Sequence, residues 1–157
     1  MSSDIREHLV RVLDWEDAHV GLDKAIDGIP SDQRGARPPG FDHSVWQLLE
    51  HIRLAQEDIL DFCLNARYEH TMKWPDDYWP SDPAPPSQQA WTDSIAGYKR
   101  GLEEMKKIAR TVEDLSAPVP TGKKNQTYLR SVLLVADHTT YHVGQIVSVR
   151  RALGIWG

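Results

Sequence analysis

Apolar side chains recur at steps of three and four residues along most of this 157-residue chain. Such steps place side chains on one face of an α-helix, whereas a strand would alternate apolar and polar residues. One segment shows the helical pattern over six steps, with apolar residues at Trp91, Ile95, Tyr98, Leu102, Met105, Ala109 and Val112. No segment alternates convincingly, so the sequence predicts an all-α fold.

Capping and helix-breaking residues divide the chain into four predicted helices. They are expected from about residue 4 to 27, from Ser44, from Ser87, and from about residue 127 to 153. Gly28-Ile29-Pro30 would end the first helix, and Ser44 and Ser87 are suitable N-caps. Residues 68–86 contain five prolines and predict a long irregular crossover between helices two and three.

The length and composition are those of one globular domain. A chain of 157 residues with 40% hydrophobic residues can bury a core without disulfides. We find no internal repeat and no domain boundary. The prediction is a single four-helix-bundle domain over residues 1–157, with the long crossover between helices two and three.

The net charge and the single cysteine limit the binding partners and the cellular compartment that we expect for this protein. A net charge of −5 disfavours nucleic acid, and no apolar run approaches the roughly 20 residues that span a bilayer. The N-terminus lacks the basic and apolar regions of a signal peptide. Cys63 is the single cysteine, and we interpret it as a buried small hydrophobe. We therefore expect a cytoplasmic protein that acts on a small molecule, without nucleic acid or membrane as a partner.

The last predicted helix is apolar on two sides. One face carries Ser131, Val135, His138, His142, Gln145 and Val149; the roughly opposite side carries Leu129, Val132, Leu133, Ala136, Thr140, Val143 and Val147. One face can line the bundle interior, and the other needs a neighbouring helix or a second subunit as cover. We expect a homodimer, partly on this ground.

Three histidines fall on the inward faces of two predicted helices. His138 and His142 lie one turn apart, and His51 lies at the edge of the apolar stripe of helix two. Neutral imidazole is a common ligand of zinc, nickel and iron. Three such groups can hold one divalent ion at about 2.0–2.1 Å and leave positions open for water or substrate. The alternative is that these histidines are ordinary core or surface residues.

Several polar residues could assist such a site. Candidate helpers are Gln47, Gln145, Tyr141 and Asp14, the two glutamines as weak ligands or as groups that orient the histidines. Glu50 and Asp137 adjoin the ligands in sequence but point about 100° away on a helix, so they are not assigned. The remaining histidines, His8, His19, His43 and His70, are expected to be ordinary. Four tryptophans, Trp15, Trp46, Trp74 and Trp79, are candidates for the wall of an apolar pocket.

Two of these segments resemble motifs of a known family. Ser44–Ile52, with the sequence SVWQLLEHI, resembles the helix-two motif of the DinB-like (DinB/YfiT) superfamily of metalloenzymes, and Val135–Ile146, VADHTTYHVGQI, resembles its helix-four motif. The ending Arg150–Trp156 is also similar. The resemblance implies a four-helix bundle, often dimeric, whose metal ligands map to His51, His138 and His142, with nickel or zinc as the expected ion.

The resemblance implies less about the reaction. Members of the superfamily include S-transferases that act with low-molecular-weight thiols and an isomerase that uses such a thiol. The implied function is therefore a divalent-metal-dependent enzyme, an S-transferase or a small-molecule hydrolase, with a low-molecular-weight thiol as a candidate cofactor. No residue identifies the catalytic groups or the thiol. Two alternatives stay open: a non-enzymatic dimeric bundle that binds a small ligand around a structural or vestigial metal, and a plain bundle with satisfied core histidines.

Overall fold

A computed structural model describes residues 3–157, with side chains from residue 5 onward. Within that range the chain forms five α-helices and no strand, so the all-α prediction is confirmed. The helices are α1 (Ser3–Val12), α2 (Leu22–Ile26), α3 (Val45–Leu64), α4 (Gln88–Thr111) and α5 (Tyr128–Ala152). The helix α3 packs on α4 and α5, while α1 contacts both α4 and α5, and α2 contacts α5. The three long helices therefore form the frame of the bundle.

The prediction of one first helix over residues 4–27 is wrong. The helix α1 ends at Val12 and α2 begins at Leu22, with an irregular segment between them. In this segment the Glu16 side chain accepts a hydrogen bond from the Gly21 backbone N–H at 3.1 Å, immediately before α2. A local bond from a side chain to the backbone competes with helical hydrogen bonding and favours the break.

The starts of α3 and α4 agree with their predicted caps, and α5 begins close to its expected start at residue 127. The Ser44 hydroxyl accepts from the Gln47 N–H, and the Gln47 side chain accepts from the Ser44 N–H, both at 3.1 Å. This reciprocal pair is a capping box, which satisfies two otherwise free donors. Ser87 and Thr127 cap α4 and α5 in the simpler way, with hydroxyl-to-N–H distances of 3.0 and 3.1 Å.

The crossover between α3 and α4 runs back along α3. It is irregular, as predicted, apart from a single 3-10 turn at Asp76–Tyr78. The Tyr78 hydroxyl donates to Asp58 near the end of α3 at 2.6 Å, and the Gln47 side-chain amide near its start donates to the Pro80 carbonyl at 3.0 Å. These bonds fix the crossover along much of α3 and place aromatic residues beside it.

Other helices of the same chain cover most of α5. Val132, Ala136 and Val143 are buried, and α5 contacts each of the other four helices. The second apolar side of α5 is therefore covered largely by neighbouring helices. An exposed strip remains, with the residues Leu133, Asp137, Thr140, Tyr141, Gly144 and Ser148.

Two expectations drawn from composition can be compared with the structure. Cys63 is buried, and burial raises the pKa of its thiol, which agrees with its interpretation as a small core residue. Among the helices of residues 3–157, none combines the length and the apolar character that crossing a membrane requires.

Candidate metal centre

The packing of α3 on α5 brings the three predicted histidines together. His51 projects from α3, and His138 and His142 project from α5, with one ligand nitrogen from each lying within 4.8 Å of the others. Nε2 of His138 lies 3.0 Å from Nε2 of His51. His51 and His142 are 2% and 6% exposed, and His138 is partly buried. The three side chains form one buried group that could hold a metal ion.

Hydrogen bonds define the orientation of two of the rings. Nδ1 of His51 donates to the main-chain carbonyl of Tyr78 at 3.0 Å. Nδ1 of His142 donates to Oε1 of Gln145 at 2.6 Å. A neutral imidazole that donates through Nδ1 carries its lone pair on Nε2. Nε2 of each ring is therefore free to bind an ion, and the Nδ1–H bond to a carbonyl or amide oxygen is the usual support of a metal-ligating histidine.

The chemistry of the three nitrogens and the spacing of the His51–His138 pair fit a divalent ion. Two nitrogens that each lie about 2.0–2.1 Å from one ion are about 2.8–3.4 Å apart when the angle between them is octahedral or tetrahedral. The observed separation of 3.0 Å between His51 and His138 matches this range. Three imidazole nitrogens suit zinc, nickel and related first-row ions.

The three imidazoles are neutral at pH 7. Burial lowers the pKa of His51 from 6.5 to about 4, with a further contribution from His142. Burial, together with the neighbouring His142 and His51, lowers the pKa of His138 to about 4. The pKa of His142 is also lowered, mainly by burial. Metal ligation requires neutral imidazole. The three histidines can therefore bind an ion near neutral pH without first releasing a proton.

A stacked arrangement beside His51 was not anticipated from the sequence. The His51 ring stacks on the Trp79 indole with 3.8 Å between centroids and 2° between planes. His43 stacks on the same indole at 3.7 Å and 10°, so Trp79 lies between two imidazoles. His43 was expected to be ordinary, and the structure instead places it next to the histidine group. No spacing rule links a residue before a helix cap to a crossover tryptophan.

The four residues predicted to assist the site make different contacts in the structure. Gln145 holds His142, as proposed for a supporting group. Gln47 instead serves the capping box and binds the crossover carbonyl of Pro80. The Tyr141 ring contacts His142 edge to face at 4.9 Å and is 64% exposed. Asp14 pairs with Lys106 at 2.7 Å, and the cavity that Asp14 lines includes none of the three histidines.

The two acidic neighbours are not directed to the group. Glu50 binds Arg53 through both carboxylate oxygens, at 2.7 and 2.8 Å. Asp137 lies on the exposed strip of α5. Their exclusion from the candidate ligands therefore agrees with the structure.

A small cavity of about 300 Å³ adjoins the histidine group and includes His138 in its lining. The other lining residues come from α3, α5 and the crossover: Ala55, Asp58, Ile59, His70, Trp74, Tyr78 and Leu134. Of the four tryptophans considered for a pocket wall, Trp74 lines this cavity, and its indole is 65% exposed. His70, expected to be ordinary, also lies at this cavity. Trp46 is instead a buried core residue.

Comparison with known proteins places the chain in a family. A family model described as the DinB superfamily matches residues 14–146, a range that includes all three histidines of the group. Neither the curated proteins nor the solved structures compared with this chain give a match. The match covers far more than half of the chain and agrees with the helical fold. The chain therefore belongs to the DinB superfamily.

Proposed function

We propose that this protein is a divalent-metal-dependent enzyme whose ion is held by Nε2 of His51, His138 and His142. The observation that carries the proposal is the convergence of three imidazole nitrogens within 4.8 Å in a buried group. Neutral rings and the Nδ1–H bonds of His51 and His142 support it further. Nickel and zinc are the proposed ions, because both accept three nitrogen ligands.

The residues around the group would keep its geometry constant. Tyr78 and Gln145 orient two of the ligands, and the Trp79 indole restricts the ring plane of His51. Three protein ligands leave positions on a bound ion for water or substrate. When bound, a divalent ion acts as a Lewis acid, which lowers the pKa of a coordinated water or thiol.

The proposed reaction is transfer to, or hydrolysis of, a small electrophilic substrate. A low-molecular-weight thiol is the proposed co-substrate for the transfer reaction. Membership of the superfamily supports the choice of a thiol co-substrate. No single residue of the chain identifies which thiol or which substrate is used.

A second candidate is a non-enzymatic bundle that binds a small ligand around a structural metal. The nearly complete burial of His51 and His142 favours it, since ligands shielded from solvent limit the access of a substrate to a bound ion. The two candidate functions differ in one property: in the enzyme, a bound metal ion would exchange a coordinated water or substrate with solvent, and in the structural site it would not.

The first experiment measures metal content and the second measures turnover. Protein stripped with a chelator and reconstituted with nickel or zinc should retain one ion per chain, and His138→Ala should retain much less. Loaded protein would then be screened with cellular thiols against electrophiles, and with small esters and amides. Metal content near zero after reconstitution would contradict the proposal. Stoichiometric metal without any metal-dependent turnover would favour the structural-metal candidate.

We also propose that the protein forms a homodimer through the exposed strip of α5. The strip includes two large side chains, Leu133 at 46% and Tyr141 at 64% exposed, beside Thr140 and Gly144. The smaller residues Thr140 and Gly144 on either side of Tyr141 would allow a second helix to approach closely. Light scattering at micromolar concentration should give twice the chain mass, and Leu133→Glu should give the monomer mass.

A further inference from the structure

The cavity beside His138 lies between three parts of the chain. Ala55 and Ile59 line it from α3, Leu134 and His138 from α5, and Trp74 from the crossover. Its volume of about 300 Å³ is roughly twice that of an apolar cavity that holds benzene. The space therefore suits a molecule with one ring or a branched chain of similar size.

The cavity wall carries one carboxylate, and most of its other lining residues are apolar or aromatic. Asp58 is its acidic residue, and the two carboxylate oxygens accept hydrogen bonds from the hydroxyls of Tyr68 at 2.8 Å and Tyr78 at 2.6 Å. Burial and the Asp58 carboxylate raise the pKa of both tyrosines, so their hydroxyls remain protonated donors. The carboxylate keeps its negative charge, but both of its oxygens are engaged by these hydroxyls, so an ammonium group would gain less from Asp58 than it would lose by leaving water for the otherwise apolar cavity.

Trp74 connects the cavity with the histidine group. Its indole meets the Tyr78 ring edge to face at 5.1 Å, and its centroid lies 6.1 Å from that of His51. An indole that is 65% exposed gains burial when an apolar molecule occupies the adjoining space. His138 contributes both to the cavity lining and to the nitrogen cluster, so the two sites share a side chain.

We propose that this cavity binds the apolar body of the substrate, an uncharged group about the size of one ring, with the polar end of the molecule directed to the histidine group. This inference rests on the proposed function, because it assigns a substrate class to the same site. It is supported by the apolar lining, the volume and the shared residue His138.

A larger cavity elsewhere in the molecule is less suitable. It measures about 610 Å³ and is lined by residues of the α1–α2 connection, α4 and α5, without any member of the histidine group. Charged pairs occupy its wall, among them Lys106 with Asp14 at 2.7 Å and Lys99 with Asp23 at 3.1 Å. Because none of the three imidazoles lines it, this cavity offers a bound substrate no direct contact with them.

The test uses 4-fluorobenzyl alcohol, which carries one ring and one uncharged polar group. Its binding to the full-length protein would be measured by ¹⁹F NMR titration, first in metal-free protein and then after zinc loading. Leu134→Trp should fill the cavity, because Leu134 lines it. Leu64→Trp is the matched control, since it introduces the same side chain at an exposed leucine at the end of α3 that lines neither this cavity nor the exposed strip of α5.

Saturable binding is expected in wild type and in Leu64→Trp with equal affinity. Leu134→Trp should weaken binding at least tenfold while its circular dichroism spectrum stays that of wild type. 4-Fluorobenzylamine, which is cationic at pH 7, should bind at least fivefold more weakly than the alcohol to metal-free protein. No saturable binding in wild type, equal loss in both tryptophan variants, or equal affinity for the amine would overturn the inference.

Metal analysis of the same samples separates this inference from the proposed function. If the protein binds zinc at the histidine group but does not bind the fluorinated alcohol, the proposed metal site stands and the proposed role of the cavity is wrong. In protein loaded with cobalt, the ¹⁹F signal of the bound alcohol should broaden relative to the zinc form, because a paramagnetic ion relaxes nearby nuclei. Equal line widths in the cobalt and zinc forms would contradict the shared site.

Discussion

The main-chain carbonyl of Tyr78 accepts a hydrogen bond from Nδ1 of His51 at 3.0 Å. The hydroxyl of the same tyrosine donates to Asp58 at 2.6 Å, so both ends of Tyr78 are fixed to α3. An irregular crossover thus gains a rigid point beside the histidine group. The orientation of a helix residue, His51, is decided by a loop residue distant in sequence.

Removing the Tyr78 hydroxyl should affect both stability and metal binding. Tyr78→Phe keeps the carbonyl but releases the crossover from Asp58, and loss of a hydrogen bond to a charged group costs about 1.5–3 kcal/mol. We expect a lower free energy of unfolding and a weaker zinc affinity. Tyr68→Phe is the matched control, because Tyr68 shares the Asp58 acceptor but holds no ligand. Urea denaturation and chelator competition measure the two effects; equal zinc affinities in the two variants would contradict this role of Tyr78.

Gln145 should determine how strongly His142 binds an ion. Gln145→Leu removes the acceptor of the 2.6 Å bond from Nδ1, and loss of such a partner costs about 10- to 100-fold in metal affinity. Gln145→Glu keeps an acceptor oxygen and should restore the affinity. The measurement is zinc binding by competition with a chromogenic chelator. Similar affinities for Gln145→Leu and wild type would show that His142 does not need this support.

Stacking on Trp79 should stabilise the position of His51. Trp79→Ala removes an indole that contacts His51 at 3.8 Å and His43 at 3.7 Å. We expect a loss in the free energy of unfolding that is smaller than the about 3–5 kcal/mol typical of a core aromatic residue, because Trp79 is only partly buried. His43→Ala keeps the contact with His51 and should change zinc affinity less than Trp79→Ala does. The reverse order of zinc affinities would contradict a positioning role for Trp79.

The metal-free protein should lose stability on acidification below about pH 6.5. His51 has a pKa near 6.5 when unfolded and about 4 when folded, so between these values the unfolded chain binds the proton. Stability from this group is therefore complete above pH 6.5 and decreases as the pH falls toward 4, by on the order of 2 kcal/mol at pH 5. Urea denaturation at pH 7 and pH 5 measures the loss. His51→Gln should show a smaller loss, and an equal loss would exclude His51 as its source.

Local signals in the sequence predicted the three long helices. Ser44, Ser87 and Thr127 mark helix starts through bonds to backbone groups only three residues away, so the cap and its partner are neighbours in the chain. The irregular segment before α2 was missed for a related reason. Its apolar spacing continues the helical period, and only the bond from Gly21 to Glu16 shows that the backbone leaves the helix.

The candidate ligands were also accessible from the sequence. A regular helix fixes the direction of each side chain, so the phase of His51, His138 and His142 indicated that they face inward, and the resemblance to the DinB-like motifs selected them as ligands. Only the tertiary structure decided what surrounds them. The Tyr78 carbonyl, the Trp79 stack and the cavity beside His138 depend on the path of the crossover. That path has no periodicity, since it is determined by contacts with α3 between residues far apart in the chain.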